Sequence, residues 1–341
     1  MTLPQHHPTS TTSGGVLIIQ TAFIGDTILA AACIEHIRNQ HPHMPIDLMV
    51  RKGNEGLYQG HPHLRILYVW NKRGSKYPQL LRFIAAFRKR RYDWCINLQK
   101  HPTTALVTLL SGARRTAGFT TTRLSRFYSH PVEHRFDAAR QCTHEVDLLL
   151  RVTAGIAPVT GRVLPRLYPS DADRTATSVA GPYVTIAPAS VRFTKQYPSE
   201  KWLAVIALLP QHYTIVLIGG GTDRQLCETI RKRSGNPKVI TRAGELSYLQ
   251  SAALMQRAAM NFVNDSAPLH IASSVGAPVT AVFCSTVPAF GFGPLGANGR
   301  LVETAAILPC RPCGLHGHRS CPEGHFKCAD IPPEDVVTLP Q

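Results

Sequence analysis

At 341 residues the chain is long enough for two domains with complete cores, and 44% hydrophobic with 17% charged residues is the composition of a soluble globular protein. No apolar run approaches the roughly 20 residues of a membrane span, which excludes a bundle of transmembrane helices. Lys and Arg number 37 against 21 Asp and Glu, a net charge of +16 that points to an anionic partner: nucleic acid, an anionic membrane surface or a phosphorylated substrate.

Residues 1–14 are polar, lack the apolar core of a secretory signal and read as a disordered lead-in, so the expected compartment is the cytoplasm. Val16–Ile19 is a short, fully apolar run, as in a buried parallel strand. A Gly-containing loop follows, and Asp26 opens an apolar helix through Ile37. Strands are predicted at Ile46–Val50 and Ile66–Val69, and Tyr77–Arg91 has helical period. Trp94–Leu98 is a strand and Thr103–Leu110 a short helix. Arg115–Phe119 leads into a basic loop to about His134, and Cys142–Gly155 is helical again. The Pro-, Gly- and Asp-rich stretch that follows reads as linker. Strand and helix then alternate afresh: Tyr183–Ala187, Lys201–Leu209, Thr214–Ile218, Gln225–Arg233, Val239–Ile240, Ser247–Arg257, Met260–Val263 and Val279–Phe283. The expected boundaries are 15–165 for the first domain, 166–182 for the linker and 183–341 for the second domain, with a Cys-rich tail at 310–328. Alternation in both halves means two doubly wound parallel sheets, whose ligands sit beyond the carboxyl ends of the strands, at a cleft where the domains face each other.

The most informative stretch is NFVNDSAPLHIASSVGAPVTAVFCST, residues 261–286. It reads as strand, polar loop, helix, Gly stop and strand, with Pro268 in the first helical turn, where its missing N–H costs nothing. The free N–H groups of that helix start suit a phosphate or diphosphate; the alternative is that Asp265 only caps the helix. Ser190, Thr194 and Lys195 follow another strand end and suit the same diphosphate, with lysine as the point charge. Gly219-Gly220-Gly221-Thr222-Asp223 ends a third strand, and an acid there can accept ribose hydroxyls. In the first domain Asp26 stands at the end of the first strand, as a general base if Phe23 and Ile24 desolvate it or as a helix cap if they do not.

These blocks resemble glycosyltransferase family 9, the ADP-heptose:lipopolysaccharide heptosyltransferases. GGVLIIQTAFIGDTILAAACIEHIRNQHP is similar to the family's amino-terminal signature, and YDWCINLQKHPTTALVTLLSGARRTAGF, YVTIAPASVRFTKQYPSEKW, YTIVLIGGGTDRQL and NDSAPLHIASSVGAPVTAVFCST follow in the family's order. The resemblance implies a GT-B fold of two Rossmann-like domains and an inverting transfer of heptose from ADP-heptose to the lipopolysaccharide inner core, with no cofactor required. It implies Asp26 as general base and Lys195 on the diphosphate. It places Asp223 at the ribose, with Asp265, Ser266, Ala267 and His270 in the donor loop. The family's usual Asp-Thr-Gly is Asp265-Ser266-Ala267 here, and its Phe-Gly-Pro-Thr is Phe283-Cys284-Ser285-Thr286. Both departures fall at the donor pocket, which leaves open a different nucleotide sugar in cell-surface polysaccharide synthesis, or a family member that binds without turnover.

Arg88, Lys89, Arg90 and Arg91 form the densest basic run, and Arg123 and Arg126 lie in the basic loop. They are expected to meet the anionic acceptor or the inner membrane, at which the protein would be peripheral; a solvated basic face is the alternative. A nucleic-acid partner is not expected, because the cations are not interleaved with aromatics, which make up only 7%. Cys33, Cys95, Cys142, Cys227 and Cys284 lie in apolar contexts and read as reduced core thiols. Cys310, Cys313, Cys321 and Cys328 are clustered in a polar, Gly-rich segment. That spacing admits a structural tetrahedral zinc; free thiols and a disulfide are the other readings.

Overall fold

The computed structural model describes residues 5–6, 13–73, 76–136, 143–337 and 339. The chain divides into two compact units, Met1–Tyr168 and Pro169–Gln341.

The first unit runs β1 (Gln5–His6), β2 (Val16–Ile19), α1 (Ile24–Leu29), α2 (Ala31–Gln40), β3 (Ile46–Arg51), β4 (Ile66–Trp70), α3 (Lys76–Arg90), β5 (Trp94–Asn97), α4 (Pro102–Leu110), β6 (Arg115–Phe119), β7 (His130–Val132) and α5 (Glu145–Thr153). Its sheet has the order β1-β4-β3-β2-β5-β6-β7, parallel throughout except for β1 against β4. β2 and β5 are buried along their whole length, as strands covered on both faces must be. Leu17 and Ile19 point to one face and pack with Tyr68, Leu80, Phe87 and Val107, so α3 and α4 cover that side. On the other side α2 meets α5, where the Cys33 thiol lies 3.5 Å from the Leu149 carbonyl.

The second unit runs α6 (Asp171–Ala176), β8 (Tyr183–Ala187), α7 (Ser199–Leu208), β9 (Thr214–Leu217), α8 (Arg224–Ser234), β10 (Val239–Thr241), α9 (Tyr248–Arg257), β11 (Asn261–Asn264), α10 (Ala267–Ser274), β12 (Val279–Phe283), β13 (Gly299–Glu303) and α11 (Pro333–Val336). Its sheet is wholly parallel, in the order β10-β9-β8-β11-β12-β13. Trp202 and Tyr197 are its largest buried side chains, edge to face at 5.1 Å between ring centroids.

The two sheets repeat one winding. From β2 in the first and β8 in the second, the chain starts in the middle, steps outward twice, then crosses back and steps outward the other way. The reversal falls between β2 and β5 in the first unit and between β8 and β11 in the second. At such a point the loops at the strand carboxyl ends diverge and leave a crevice for a ligand. The expected two-domain α/β class of a GT-B fold is therefore present.

Several local expectations change. Gln5 and His6 pair with Leu67 and Ile66, so part of the lead-in is ordered; the rest of residues 1–12 lies outside the described residues. The helix after β2 begins at Ile24 with Phe23 as its cap and is interrupted at Ala30, which places Asp26 inside the first turn rather than at the cap. The basic segment after β6 is not one loop: it forms a 3-10 turn at Arg123–Phe127 and the edge strand β7. Within the expected linker, Ser170 and Asp173 close a capping box that starts α6. α6 packs on α9, so it belongs to the second unit. Cys142 lies outside the described residues, while Cys33, Cys95, Cys227 and Cys284 are buried free thiols.

Candidate active site

The second unit brings its donor-loop residues together at the reversal point. Asn264, the last residue of β11, is fully buried. Its amide donates to the Pro188 carbonyl at 2.9 Å and its oxygen accepts from the Tyr197 N–H at 2.9 Å, which ties the β11 loop to the β8 loop. That tie delivers Lys195 to Asp265: Nζ stands 2.7 Å from Oδ2 in a pair whose side chains are only 17% and 7% exposed. Thr286 Oγ1 donates to the same Oδ2 at 2.6 Å. A buried carboxylate must be compensated, and here a cation and a hydroxyl share the task. The ammonium has two further donors to offer. Ser266 caps α10 in extended backbone with no side chain closing the helix start, and Ala267 and Pro268 form its first turn. The result is an ammonium and a helix N-terminus side by side, both attractive to a diphosphate.

Ala267 is helical, and among the described residues only Arg91 and Phe326 have positive φ outside glycine. The departure from the family's glycine therefore carries no backbone strain. His270 is buried on α10, edge-on to Phe292. Ser190 is half-buried, and its carbonyl accepts from the Gln196 amide at 2.6 Å.

Two expected donor contacts are engaged elsewhere. Thr194 is 1% exposed, and its hydroxyl accepts from the His318 N–H at 2.8 Å and pairs with Ser285 Oγ at 3.0 Å. It braces the site from behind. Asp223 folds back on its own loop: Oδ2 accepts from the Gly220 N–H at 2.8 Å, and Thr222 Oγ1 donates to Oδ1 at 3.3 Å. A Cβ on Gly219 would lie 2.8 Å from the Asp223 Cβ, so this close turn requires glycine.

In the first unit Asp26 is half-buried on the opening turn of α1, at the carboxyl end of β2. Its loop is pinned on three sides. Lys72 Nζ donates to the Thr21 carbonyl at 2.7 Å, Asn54 donates to the Ala22 carbonyl and Thr27 Oγ1 at 3.1 and 2.7 Å, and the Tyr58 hydroxyl donates to the Thr27 carbonyl at 2.5 Å. Across the reversal the Gln20 and Gln99 side chains bond to each other. Beyond β5, Glu145 accepts from Lys100 at 3.4 Å and lies 3.0 Å from His134 Nε2. Burial pushes the Glu145 carboxyl up, but His134 and Lys100 outweigh it and hold the acid below its ordinary range.

The basic clusters separate. Arg88, Lys89 and Arg90 end α3, and Arg91 follows with φ 53°. This end of α3 meets the amino ends of the strands: the Gly14 N–H donates to the Arg90 carbonyl just before β2. The four cations thus stand at the opposite end of the sheet from Asp26. Arg123 and Arg126 lie on the 3-10 turn that packs on α4.

The C-terminal cysteines Cys310, Cys313, Cys321 and Cys328 are neighbours. Among the described residues no three His, Cys, Asp or Glu side chains stand close enough to hold a metal ion. Cys328 is buried in the apolar core, and burial pushes its thiol up to about 11, with Cys313 and Cys321 adding to the rise. Cys310 Sγ lies 3.9 Å from His325 Nε2, and Cys313 Sγ donates to the Cys310 carbonyl at 3.1 Å.

Sequence reasoning did not single out Asn264, Thr286 or Arg311. It also missed Lys72, Asn54 and the Lys100–His134–Glu145 group. The changed tetrapeptide at 283–286 was the one signal available for Thr286. Arg311 was hidden inside the Cys-x-x-Cys spacing.

Comparisons with known proteins bear on the family and the fold. The family description "Glycosyltransferase family 9 (heptosyltransferase)" matches residues 80–323. Lipopolysaccharide heptosyltransferase 3 of Escherichia coli is 25% identical over 277 residues, covering 77% of this chain and 82% of that protein. The glycosyl transferase family 9 structure from Veillonella parvula superposes with a TM-score of 0.78 at 19% identity, covering 97% of each chain. The E. coli ADP-heptose lps heptosyltransferase II structure gives 0.75 at 19% identity, over 94% of this chain and 96% of that one. These two likenesses establish the fold, and the sequence match over most of the chain establishes more: the protein is a glycosyltransferase and belongs to glycosyltransferase family 9, the heptosyltransferase family.

Proposed function

We propose that this enzyme transfers a heptose from ADP-heptose to a hydroxyl of the lipopolysaccharide inner core, with inversion. The observation that carries the reading is the Lys195–Asp265 pair at 2.7 Å beside the uncapped start of α10. In the proposed step the acceptor hydroxyl gives its proton to Asp26 as its oxygen attacks the anomeric carbon. The bond from that carbon to the diphosphate breaks, and its electron pair leaves with ADP. Lys195 and the first turn of α10 stabilise the charge that gathers on the departing phosphate. The names of the E. coli relatives support donor and acceptor alike. The test is mass spectrometry of products from purified core oligosaccharide with ADP-heptose, UDP-sugars and GDP-sugars. Addition of one heptose from ADP-heptose is expected. Transfer only from another nucleotide sugar would establish the second reading, which the Ser266-Ala267 departure in the donor loop favours.

The same reading places the enzyme in the cytoplasm, at the inner face of the membrane. Among the described residues no helix is long and apolar enough to cross a membrane. Leu106 and Leu110 sit one turn apart on α4, 47% and 36% exposed, beside Phe127 at 59%. Arg126 lies 4.7 Å from the Phe127 ring, and Arg88 donates to the Leu110 carbonyl. Exposed apolar side chains ringed by arginine suit the surface of an anionic bilayer. The Phe127→Ser variant is expected to lose sedimentation with anionic vesicles; unchanged sedimentation rejects this face.

A further inference from the structure

The C-terminal segment reaches the donor site through its backbone and through one arginine. Arg311 is held by Glu303 at the end of β13, Nη2 to Oε2 at 2.6 Å, and its side chain is only 11% exposed. The guanidinium then spans the loop after β12. Nε donates to the Cys284 carbonyl at 2.7 Å, and Nη2 donates to the Thr286 carbonyl at 2.8 Å and the Phe283 carbonyl at 3.3 Å. Two residues on, the Cys313 N–H donates to the Ser285 carbonyl at 2.9 Å. Four successive carbonyls, 283 to 286, are thus gripped by one short segment. The segment then crosses to the other donor loop. The Thr194 N–H donates to the His318 carbonyl at 3.2 Å, the His318 N–H donates to Thr194 Oγ1 at 2.8 Å, and a Cβ on Gly317 would lie 2.9 Å from both Lys195 Cγ and Thr194 Oγ1. Gly317 has φ 68° and lies against the stem of the lysine.

A planar, permanently charged fork suits this task. It matches several carbonyl acceptors at once, whereas a lysine ammonium would satisfy them with no fixed direction. Glu303 balances the charge, and Nε and Nη2 are directed at carbonyls, so Arg311 serves the loop rather than a substrate phosphate. What the loop carries is Thr286, whose hydroxyl bonds the Asp265 oxygen that holds Lys195. We infer that Arg311 is a positioning residue: by fixing the Phe283–Thr286 loop it sets Thr286 and Asp265, and through them aims Lys195 at the donor diphosphate. This rests on the proposed role of Lys195.

The test is a double-mutant cycle on ADP binding, measured by calorimetry with Lys195→Ala, Arg311→Lys and the double variant. Arg311→Lys is expected to raise the ADP Kd about tenfold in the native background and to leave it unchanged when Lys195 is already alanine. A merely structural arginine would weaken both backgrounds alike. An ADP Kd unmoved by Lys195→Ala rejects the parent reading together with this one. A Kd raised by Lys195→Ala, but unmoved by Arg311→Lys or raised equally in both backgrounds, overturns the inference alone. If Arg311→Lys does not fold, as judged by circular dichroism, Thr286→Val takes its place in the same cycle. Loss of ADP affinity only where Lys195 is present supports the inference, and any other pattern overturns it.

Discussion

The two units share a winding and differ in what they place at its reversal point. In the second, the loops after β8 and β11 carry a buried lysine and aspartate, cross-tied by Asn264 and braced by the C-terminal segment. In the first, the loops after β2 and β5 carry the amides Gln20 and Gln99 and a single half-buried carboxylate, Asp26. One winding thus presents a buried lysine–aspartate pair in one unit and, in its repeat, a half-buried carboxylate on a segment held by Lys72. The framework of parallel strands is indifferent to the chemistry, and the loops decide it.

The sharpest way to break that contrast is Asp26→Asn. Turnover is expected to fall about 10²- to 10⁴-fold while ADP affinity stays as it was. Near-normal transfer in a product assay would remove Asp26 from the step.

The cores differ as well. In the first unit Asp47 is fully buried on β3, gripped by Arg65 at 2.9 Å on each oxygen and by the Tyr92 hydroxyl. Asp47→Ala would strand that guanidinium and is expected to cost about 3–5 kcal/mol in denaturant unfolding. In the second unit Trp202 is fully buried and its indole N–H has no hydrogen-bond partner. Trp202→Phe is therefore expected to cost less than about 1.5 kcal/mol. Equal losses would show that the polar anchor of the first core is not special.

Lys195→Ala complements Asp26→Asn. It is expected to weaken ADP about 10- to 100-fold, the weight of one charge-assisted contact, as read by calorimetry. An unchanged affinity would return the lysine to a structural role.

A further effect concerns acid stability of the first unit. Burial lowers the His61 imidazole from 6.5 to about 3, and its Nε2 lies 3.9 Å from Glu35 Oε1. Below pH 6.5 the unfolded chain binds the proton that the folded chain refuses, so stability falls as pH drops from 6.5 towards 3. His61→Phe is expected to flatten that limb of a stability-against-pH curve. An unaltered limb would mean that other groups carry it.

Much of this was legible in the chain itself. Apolar runs of four or five residues between turn signals, such as Val16–Ile19, suit strands buried on both faces, and their alternation with helical periods points to a doubly wound sheet. The loop and helix after β11 were readable because Pro268 and Gly276 punctuate a helix by local sterics. Local signals misled where two structures share them: Asp26 after a glycine looks like a cap, yet Phe23 takes that place. Thr194 looked like a ligand contact, but its hydroxyl closes a bond with a segment 124 residues away.

The sequence alone therefore determined the layers, the order of elements and the loops that would carry charge, because these follow from periodicity and backbone sterics acting over a few residues. Only the tertiary structure decided which side chains meet. The convergence of Lys195, Asp265, Thr286 and Arg311 depends on strand order and on a returning C-terminal segment. Contacts between positions so far apart leave no period in the chain.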